Sequence, residues 1–405
     1  FACPAATPAD AGIVYIDSAD RTSYGRLMAA NLGGGGVMPL NAAGADAASP
    51  RLSTDGSRLV YTIGAGGRRA LVIQVFADPL LQVGRAGYAR LNEECSWENG
   101  VMATGWVRSW RATGDAHYLA SVRSWVAGCL ARGATVQHAN DVPLAFAALV
   151  LHAETPNPRY WATAQQAADY IFTQAQRAPD GTLIHLDDMV WDDTLMGITP
   201  FLVEMYAATG EERYLDEAVS QVLKHSKHLQ DAATGLYHHA WRPATNTLDG
   251  PAFWGRGNGW VLMAAADLLT ALPSTHPQYA DVLKAFTRHA DGLLAHQDES
   301  GRWHTVINRP DAYLETSASA LIVGGLATAL HSGAAASLPD PQLYANRVAL
   351  GLRGVWGQVS AEGVAGGVSA PTWPMPEDEY LLRPISSFER YGQGVVLLMG
   401  AAVIR

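Results

Sequence analysis

Two kinds of helical run alternate along this chain, and that alternation constrains the fold more than any other feature. Five runs open alike: a short polar turn, then a Tyr, then an amphipathic stretch. They are TGDAHYLASVRSWV, NPRYWATAQQAADYI, TGEERYLDEAVSQVL, THPQYADVLKAF and DPQLYANRVALGL. Between them lie WENGVMATGWVRSW, DVPLAFAALVLHA, DTLMGITPFLVEMYAATG, GWVLMAAADLLTAL and TSASALIVGGLATAL, with GQGVVLLMGAAVIR as the last run. These are more apolar and richer in small residues. An amphipathic helix wants one wet face, whereas a helix rich in Ala, Gly and Leu can be buried on nearly all sides. An inner ring of the second kind wrapped by an outer ring of the first satisfies both. The expected fold is therefore mainly α, an (α/α)6 toroid of six hairpins. An open helical solenoid is the competing arrangement, but solenoid repeats keep a near-constant length. The spacings between Tyr118, Tyr160, Tyr214, Tyr279 and Tyr344 are 42, 54, 65 and 65 residues, which favours closure.

The first 83 residues read differently. GIVYIDS, RLMAANL, SRLVYTI and RALVIQVF are short apolar or alternating runs, separated by NLGGGGV, STDGS and similar punctuation. That pattern predicts four β-strands with turns. SPRLSTDGSRLVYT is similar to one repeat of the TolB-type propeller family. A single blade would expose both faces, so these strands either pack against the helical body or belong to the end of a propeller. The expected division is a β-rich segment over 1–83 and an (α/α)6 barrel over 84–405.

Composition removes several function classes. Of 405 residues, 48% are hydrophobic and 16% charged, enough apolar material for a large core. A formal net charge of -10 without a basic run disfavours nucleic acid. Nothing is long and apolar enough to span a membrane. Three cysteines, Cys3, Cys95 and Cys129, do not make a disulfide scaffold, and no CxxC suggests zinc. A Cys95–Cys129 bridge is one option; two buried free thiols are the expectation. Neither oligomeric state nor compartment, bacterial cytoplasm or periplasm, follows from the residues.

In a toroid the inner helices run parallel, so the residues ahead of each gather at one mouth. Here those are Asn140 and Asp141; Trp191, Asp192 and Asp193; Trp254, Arg256, Asn258 and Trp260; and Glu315, Thr316 and Ser317. An Asp or Asn ahead of a helix is ordinarily an N-cap. A cap accounts for one acid, not for two adjacent acids framed by Trp191. Three Gly within WGRGNGW would be costly inside a helix and suit a close approach of backbone to ligand. His238 and His239 are adjacent, so in a strand they point to opposite faces and chelate one metal poorly. One of the two is expected at the site. His185 lies in the loop leading to the mouth. No metal or cofactor is expected.

VWDDTLMGITPFLVEM, TGLYHHAW, FWGRGNGW, YLETSASA and YGQGVVLL, in that order from about Trp97 onward, together resemble glycoside hydrolase family 105. That family comprises the unsaturated rhamnogalacturonyl hydrolases, related to the unsaturated glucuronyl hydrolases of family 88. The resemblance implies an (α/α)6 barrel acting on oligosaccharides left by polysaccharide lyases. It implies that an Asp protonates C4 of a non-reducing-end 4,5-unsaturated uronic acid, that water adds at C5, and that the unstable hemiketal opens. The W-x-D-[TG]-L pattern assigns the donor to Asp193 rather than Asp192. It further implies Asp141 as the second carboxylate, and His185, His239, Trp254, Arg256 and Trp260 as substrate-binding positions. Trp191, Glu315 and Ser317 join them by position at the mouth. The loops from His185 to Asp193 and from His239 to Trp254 look short beside the family pattern, which bears on leaving-group specificity.

The chemistry fits these residue types independently. Protonating an electron-rich enol ether makes an oxocarbenium-like cation, so a protonated acid and a negative neighbour are both needed. Arg256 suits a substrate carboxylate. Competing readings are an inverting glycosidase using Asp193 with Asp141 or Glu315, a non-catalytic glycan-binding protein, and a sugar epimerase relying on paired His.

Overall fold

The computed structural model describes the strands at 11–17, 26–31, 37–39, 46–52, 58–65 and 68–75, then residues 77–89 and 94–404. The first part holds β1 (Ala11–Asp17), β2 (Arg26–Asn31), β3 (Val37–Pro39), β4 (Asp46–Leu52), β5 (Arg58–Ala65) and β6 (Arg68–Val75). They form two antiparallel three-stranded sheets, β1-β2-β3 and β4-β5-β6. The four expected strands correspond to β1, β2, β5 and β6. The runs that became β3 and β4, VMP and DAASPRL, carry Pro and small residues and give no strand signal.

The helices are α1 (Ala77–Ala89), α2 (Trp97–Thr113), α3 (Ala116–Ala131), α4 (Val142–Glu154), α5 (Pro158–Asp169), α6 (Asp193–Thr209), α7 (Glu212–Leu229), α8 (Gly255–Ala271), α9 (Tyr279–Leu294), α10 (Thr316–Leu330), α11 (Pro341–Trp356), the short α12 (Glu377–Tyr380) and α13 (Arg390–Ile404). The inner ring is α2, α4, α6, α8, α10 and α13. Each packs on the next, and α13 packs back on α2. The expected toroid is therefore closed. Outside it, α3, α5, α7, α9 and α11 pair with the inner helices that precede them, and α1 pairs with α13. The expected division between residues 83 and 84 falls within α1, because Leu80 and Val83 are buried in the barrel core.

The recurring polar turn before each Tyr is a capping device. Asp115 accepts from the N–H of His117, Asn157 from that of Arg159 and Asp340 from that of Leu343, each at 2.9 Å. Such a cap contributes about 1 kcal/mol. The Tyr that follows points inward: Tyr118, Tyr214 and Tyr344 are buried. Inner helices approach closely because small residues face one another. A Cβ on Gly105 of α2 would lie 2.6 Å from the Gly394 carbonyl of α13, so the seam that closes the ring admits no side chain there.

One correction concerns the cysteines. Cys95 and Cys129 are joined as a disulfide, with Cα atoms 5.5 Å apart, rather than standing as two buried thiols. The segment before α2 and the last turn of α3 meet at that point, a proximity that sequence spacing does not reveal. Cys3 lies outside the described residues.

Candidate active site

Short strands carry the chain into the mouth. β7 (Val190–Trp191) pairs with β8 (Ala240–Arg242), and β8 with β9 (Thr247–Gly250). β10 (Trp303–His304) pairs with β11 (Leu314–Glu315), and β12 (Val368–Ser369) with β13 (Ile385–Ser386). β7 delivers Asp193 to the first position of α6, and β11 delivers Glu315 to the N-cap of α10. Within the His185–Asp193 loop, Asp187 and Asp188 make a tight turn, both with positive φ (51° and 57°). Asp tolerates that conformation better than most residues.

Asp193 and His239 meet at the centre: Oδ2 of Asp193 lies 3.2 Å from Nε2 of His239. Asp193 keeps 23% of its side chain accessible, while His239 is fully buried. On the far side, Nδ1 of His239 lies 2.7 Å from the Tyr380 hydroxyl of α12. The His239 ring stacks on Trp254, centroids 4.3 Å apart, and meets Trp191 edge-on at 5.6 Å. His238 faces away, onto Phe253 and the Pro251 carbonyl.

Asp192 has a different environment. It is fully buried, and neither carboxyl oxygen has a hydrogen-bond partner among the described residues. It fits only because α8 carries Gly257 opposite: a Cβ there would come within 2.0 Å of Asp192 Oδ2.

Arg256 is also buried, 1% exposed, and its guanidinium is already engaged. Nη1 donates to the hydroxyl (2.6 Å) and carbonyl (3.1 Å) of Ser369, and to Ser317 Oγ (3.4 Å). Nη2 donates to the Ala370 carbonyl and to Thr372 Oγ1, both at 3.1 Å. The cation lies over the Trp254 ring at 4.6 Å. Glu315 accepts from Ser317 Oγ, from the Ala318 N–H (2.5 Å) and from the Ser369 N–H (2.8 Å). Glu315, Ser317 and Arg256 thus pin the 368–372 segment to the starts of α8 and α10.

Residues 80–405 match glycosyl hydrolase family 88. The chain belongs to glycosyl hydrolase family 88. It is 33% identical over 319 residues to the unsaturated rhamnogalacturonyl hydrolase YesR of Bacillus subtilis, covering 76% of this chain and 89% of that one. Among solved structures, a possible member of family GH105 from Klebsiella pneumoniae superposes with a TM-score of 0.74 at 25% identity, covering 81% and 92% of the two chains. The unsaturated glucuronyl hydrolase of Bacillus sp. GL1 shares the fold, with a TM-score of 0.62 at 19% identity over 79% and 95%. The resemblance to family 105 holds, and the protein is a glycoside hydrolase.

Within this family 88 enzyme the expected residues divide into two sets. Asp193, His239, His185, Trp191, Trp254, Arg256, Glu315 and Ser317 are linked around the mouth. His185 stacks on Trp191 (4.8 Å), and its Nδ1 lies 3.1 Å from Thr194 Oγ1. Asp141 stands at the start of α4, where Oδ2 accepts from the Gln137 N–H at 3.0 Å. Trp260 lies one and a half turns into α8, buried in the barrel core. Trp254 is buried too, its ring covered by His239 and Arg256. Two residues escaped the sequence reading. His138 donates through Nε2 to the His185 carbonyl at 2.7 Å; its place three residues ahead of Asp141 was the available signal. Tyr380 carried none.

Electrostatics separate the two acids. Burial, and then the neighbouring charge of Asp193, push the Asp192 carboxyl well above the usual carboxylate range. Burial also pushes Asp193 up, but the His239 hydrogen bond and nearby imidazoles outweigh it and bring it to about 2. Burial lowers His239, and takes His185 down to about 3, so both rings are neutral near pH 7. The two neighbouring acids are thus pushed in opposite directions, Asp192 toward the neutral form and Asp193 toward the charged one. Asp192, Asp193 and His239 bring ligand-type atoms within 4.8 Å of one another. Of these three, Asp192 is sealed against Gly257 and His239 is buried, so only Asp193 keeps accessible surface.

Two surface concavities lie elsewhere. One of about 840 Å³ runs along α9 past Lys284, Arg288 and His296, and one of about 650 Å³ lies beside His152 and Trp161. Neither reaches Asp193. Among the described residues no helix is long and apolar enough to cross a membrane.

Proposed function

We propose that this enzyme removes a non-reducing-end 4,5-unsaturated uronic acid from oligosaccharides by hydrating its C4=C5 bond. The carrying observation is the Asp193 carboxyl: the accessible member of an otherwise buried acid pair, at a helix start and in hydrogen-bond contact with His239. The family 88 membership, and the activity named for the Bacillus subtilis relative, support the substrate class.

The reaction proceeds as follows. Asp193 gives its proton to C4, and the cation that develops at C5 is taken by a water oxygen, which then loses a proton. The product is a hemiketal at C5. It opens to a ketone, and C1, now a hemiacetal, expels the remaining sugar as an alcohol. No oxidant or reductant enters. Asp193 needs its proton at the moment of transfer. The substrate's own carboxylate, arriving beside the acid pair, raises the proton affinity of Asp193 by like-charge repulsion. Asp141 supplies the second carboxylate, for the cationic centre or the water. Arg256 attracts the uronate through its charge, while its hydrogen bonds hold the rim in place.

The test is spectroscopic. Unsaturated oligosaccharides absorb in the ultraviolet through the conjugated C=C, and hydration removes that band. Loss of absorbance on incubation with rhamnogalacturonan, ulvan or glycosaminoglycan lyase products is the expected result. Persistent absorbance with all three, or release of reducing sugar from saturated chains, would overturn the proposal.

A further inference from the structure

One element of the mouth remains unassigned. Of the twelve tryptophans, Trp373 alone is exposed, at 53%. A single exposed apolar residue is ordinary on a protein surface. This one is flanked on both sides by residues tied to the catalytic cluster. Before it, Thr372 Oγ1 accepts from Arg256. After it, Pro374 packs on Gly250 beside His239: a Cβ on Gly250 would lie 3.0 Å from the His239 Cβ and 3.1 Å from that of Pro374. The Met375 N–H donates to Tyr380 Oη at 3.3 Å, and Tyr380 meets His239, which meets Asp193. Trp373 is therefore an exposed indole in a segment held on both sides by the residues that surround Asp193.

A cation accompanies it. The Arg383 guanidinium lies 5.6 Å from the Trp373 ring centroid and donates through Nη2 to the Pro371 carbonyl. Its Nε is buried with no hydrogen-bond partner, and no carboxylate lies within ion-pair distance of it among the described residues. In a chain of net charge -10, a guanidinium with no carboxylate partner among the described residues, beside an exposed indole, has the chemistry to meet an anionic sugar.

We propose that Trp373 and Arg383 form the subsite for the sugar joined to the unsaturated uronate, and that the preferred sugar there carries an anionic group, sulfate or carboxylate. The C–H face of that ring stacks on the indole, and the guanidinium donates to the anion. This rests on the uronyl hydrolase reading above and names its leaving group.

The experiment compares unsaturated uronate linked to a neutral sugar, a sulfated sugar, a carboxylated sugar and a methyl group. Trp373→Ala should raise KM for the three disaccharides roughly tenfold while leaving turnover of the methyl glycoside unchanged. Arg383→Gln should erase the preference for the anionic disaccharides, and Arg383→Lys should restore part of it. The sulfated and carboxylated arms show which anion is read. Methyl glycoside turnover by the wild type, with disaccharide KM values indifferent to both substitutions, would sink the subsite and leave the reaction standing. No turnover of any substrate by the wild type would sink the reaction reading. The subsite is then still judged by calorimetric binding of the disaccharides to Asp193→Asn with and without Trp373→Ala, where equal affinities reject it.

Discussion

His239 bridges Asp193 and Tyr380, its two ring nitrogens 3.2 Å from one carboxyl oxygen and 2.7 Å from the phenol. A neutral imidazole there has two settings. With the proton on Nε2 it donates to an ionised Asp193 and accepts from Tyr380. With the proton on Nδ1 it donates to Tyr380 and accepts from a protonated Asp193. The second setting is the one acid chemistry needs. Tyr380→Phe leaves Nδ1 without a polar partner, which costs a buried group about 1–3 kcal/mol. The expected result is a fall in kcat of roughly tenfold or more with KM little changed. An unchanged kcat would show that the phenol merely fills space.

Asp193→Asn removes the transferable proton while keeping the shape. Loss of turnover by about 10²–10⁴-fold is expected, with an unaltered melting temperature. Turnover close to wild type would move the donor to another residue.

Asp192 predicts a pH dependence of stability. Its folded-state pKa lies above the unfolded value of about 3.9, so the native state holds the proton more firmly. Its contribution is fully present below the unfolded value and is lost as pH rises toward the folded one. Asp192→Asn, neutral throughout, should gain in melting temperature relative to wild type as pH is raised from 4 to 8. A difference that stays flat across that range would mean that Asp192 is not held protonated.

The Cys95–Cys129 bridge closes a loop with a sequence separation of 34 residues. Such a crosslink contributes about 2–4 kcal/mol, chiefly by restricting the unfolded chain. Thermal unfolding should shift down by several degrees in strong reductant, and Cys129→Ser should be insensitive to it. Thiol titration of the denatured, unreduced protein should find one free thiol per chain; three would dismiss the bridge.

The barrel was legible in the sequence because its physics is local. A helix buried on every side avoids charge, and runs such as LIVGGLATAL or VVLLMGAAVI, alternating with amphipathic ones, suit an inner ring wrapped by an outer one. The mouth was legible for the same reason, since inner-helix starts such as Trp191 to Asp193 are contiguous in the chain. What was hidden depends on distant partners. Glu315 and Arg256 looked like groups waiting for substrate, yet Ser369, Ala370 and Thr372, more than fifty residues away, already occupy them. Tyr380 reaches His239 across 141 positions from an acidic, strand-poor stretch with no periodicity to mark it. His138 was in plain sight but reads as an ordinary turn residue until His185 is placed against it.

The seam between α2 and α13 has a consequence for biosynthesis. Five of the six staves can assemble as translation proceeds, but α2 and α10 both keep an unmet apolar flank until Arg390–Ile404 has cleared the ribosome. Until that last helix arrives, a nascent chain is an incomplete hoop with two sticky edges, the kind of transiently exposed apolar surface that invites aggregation.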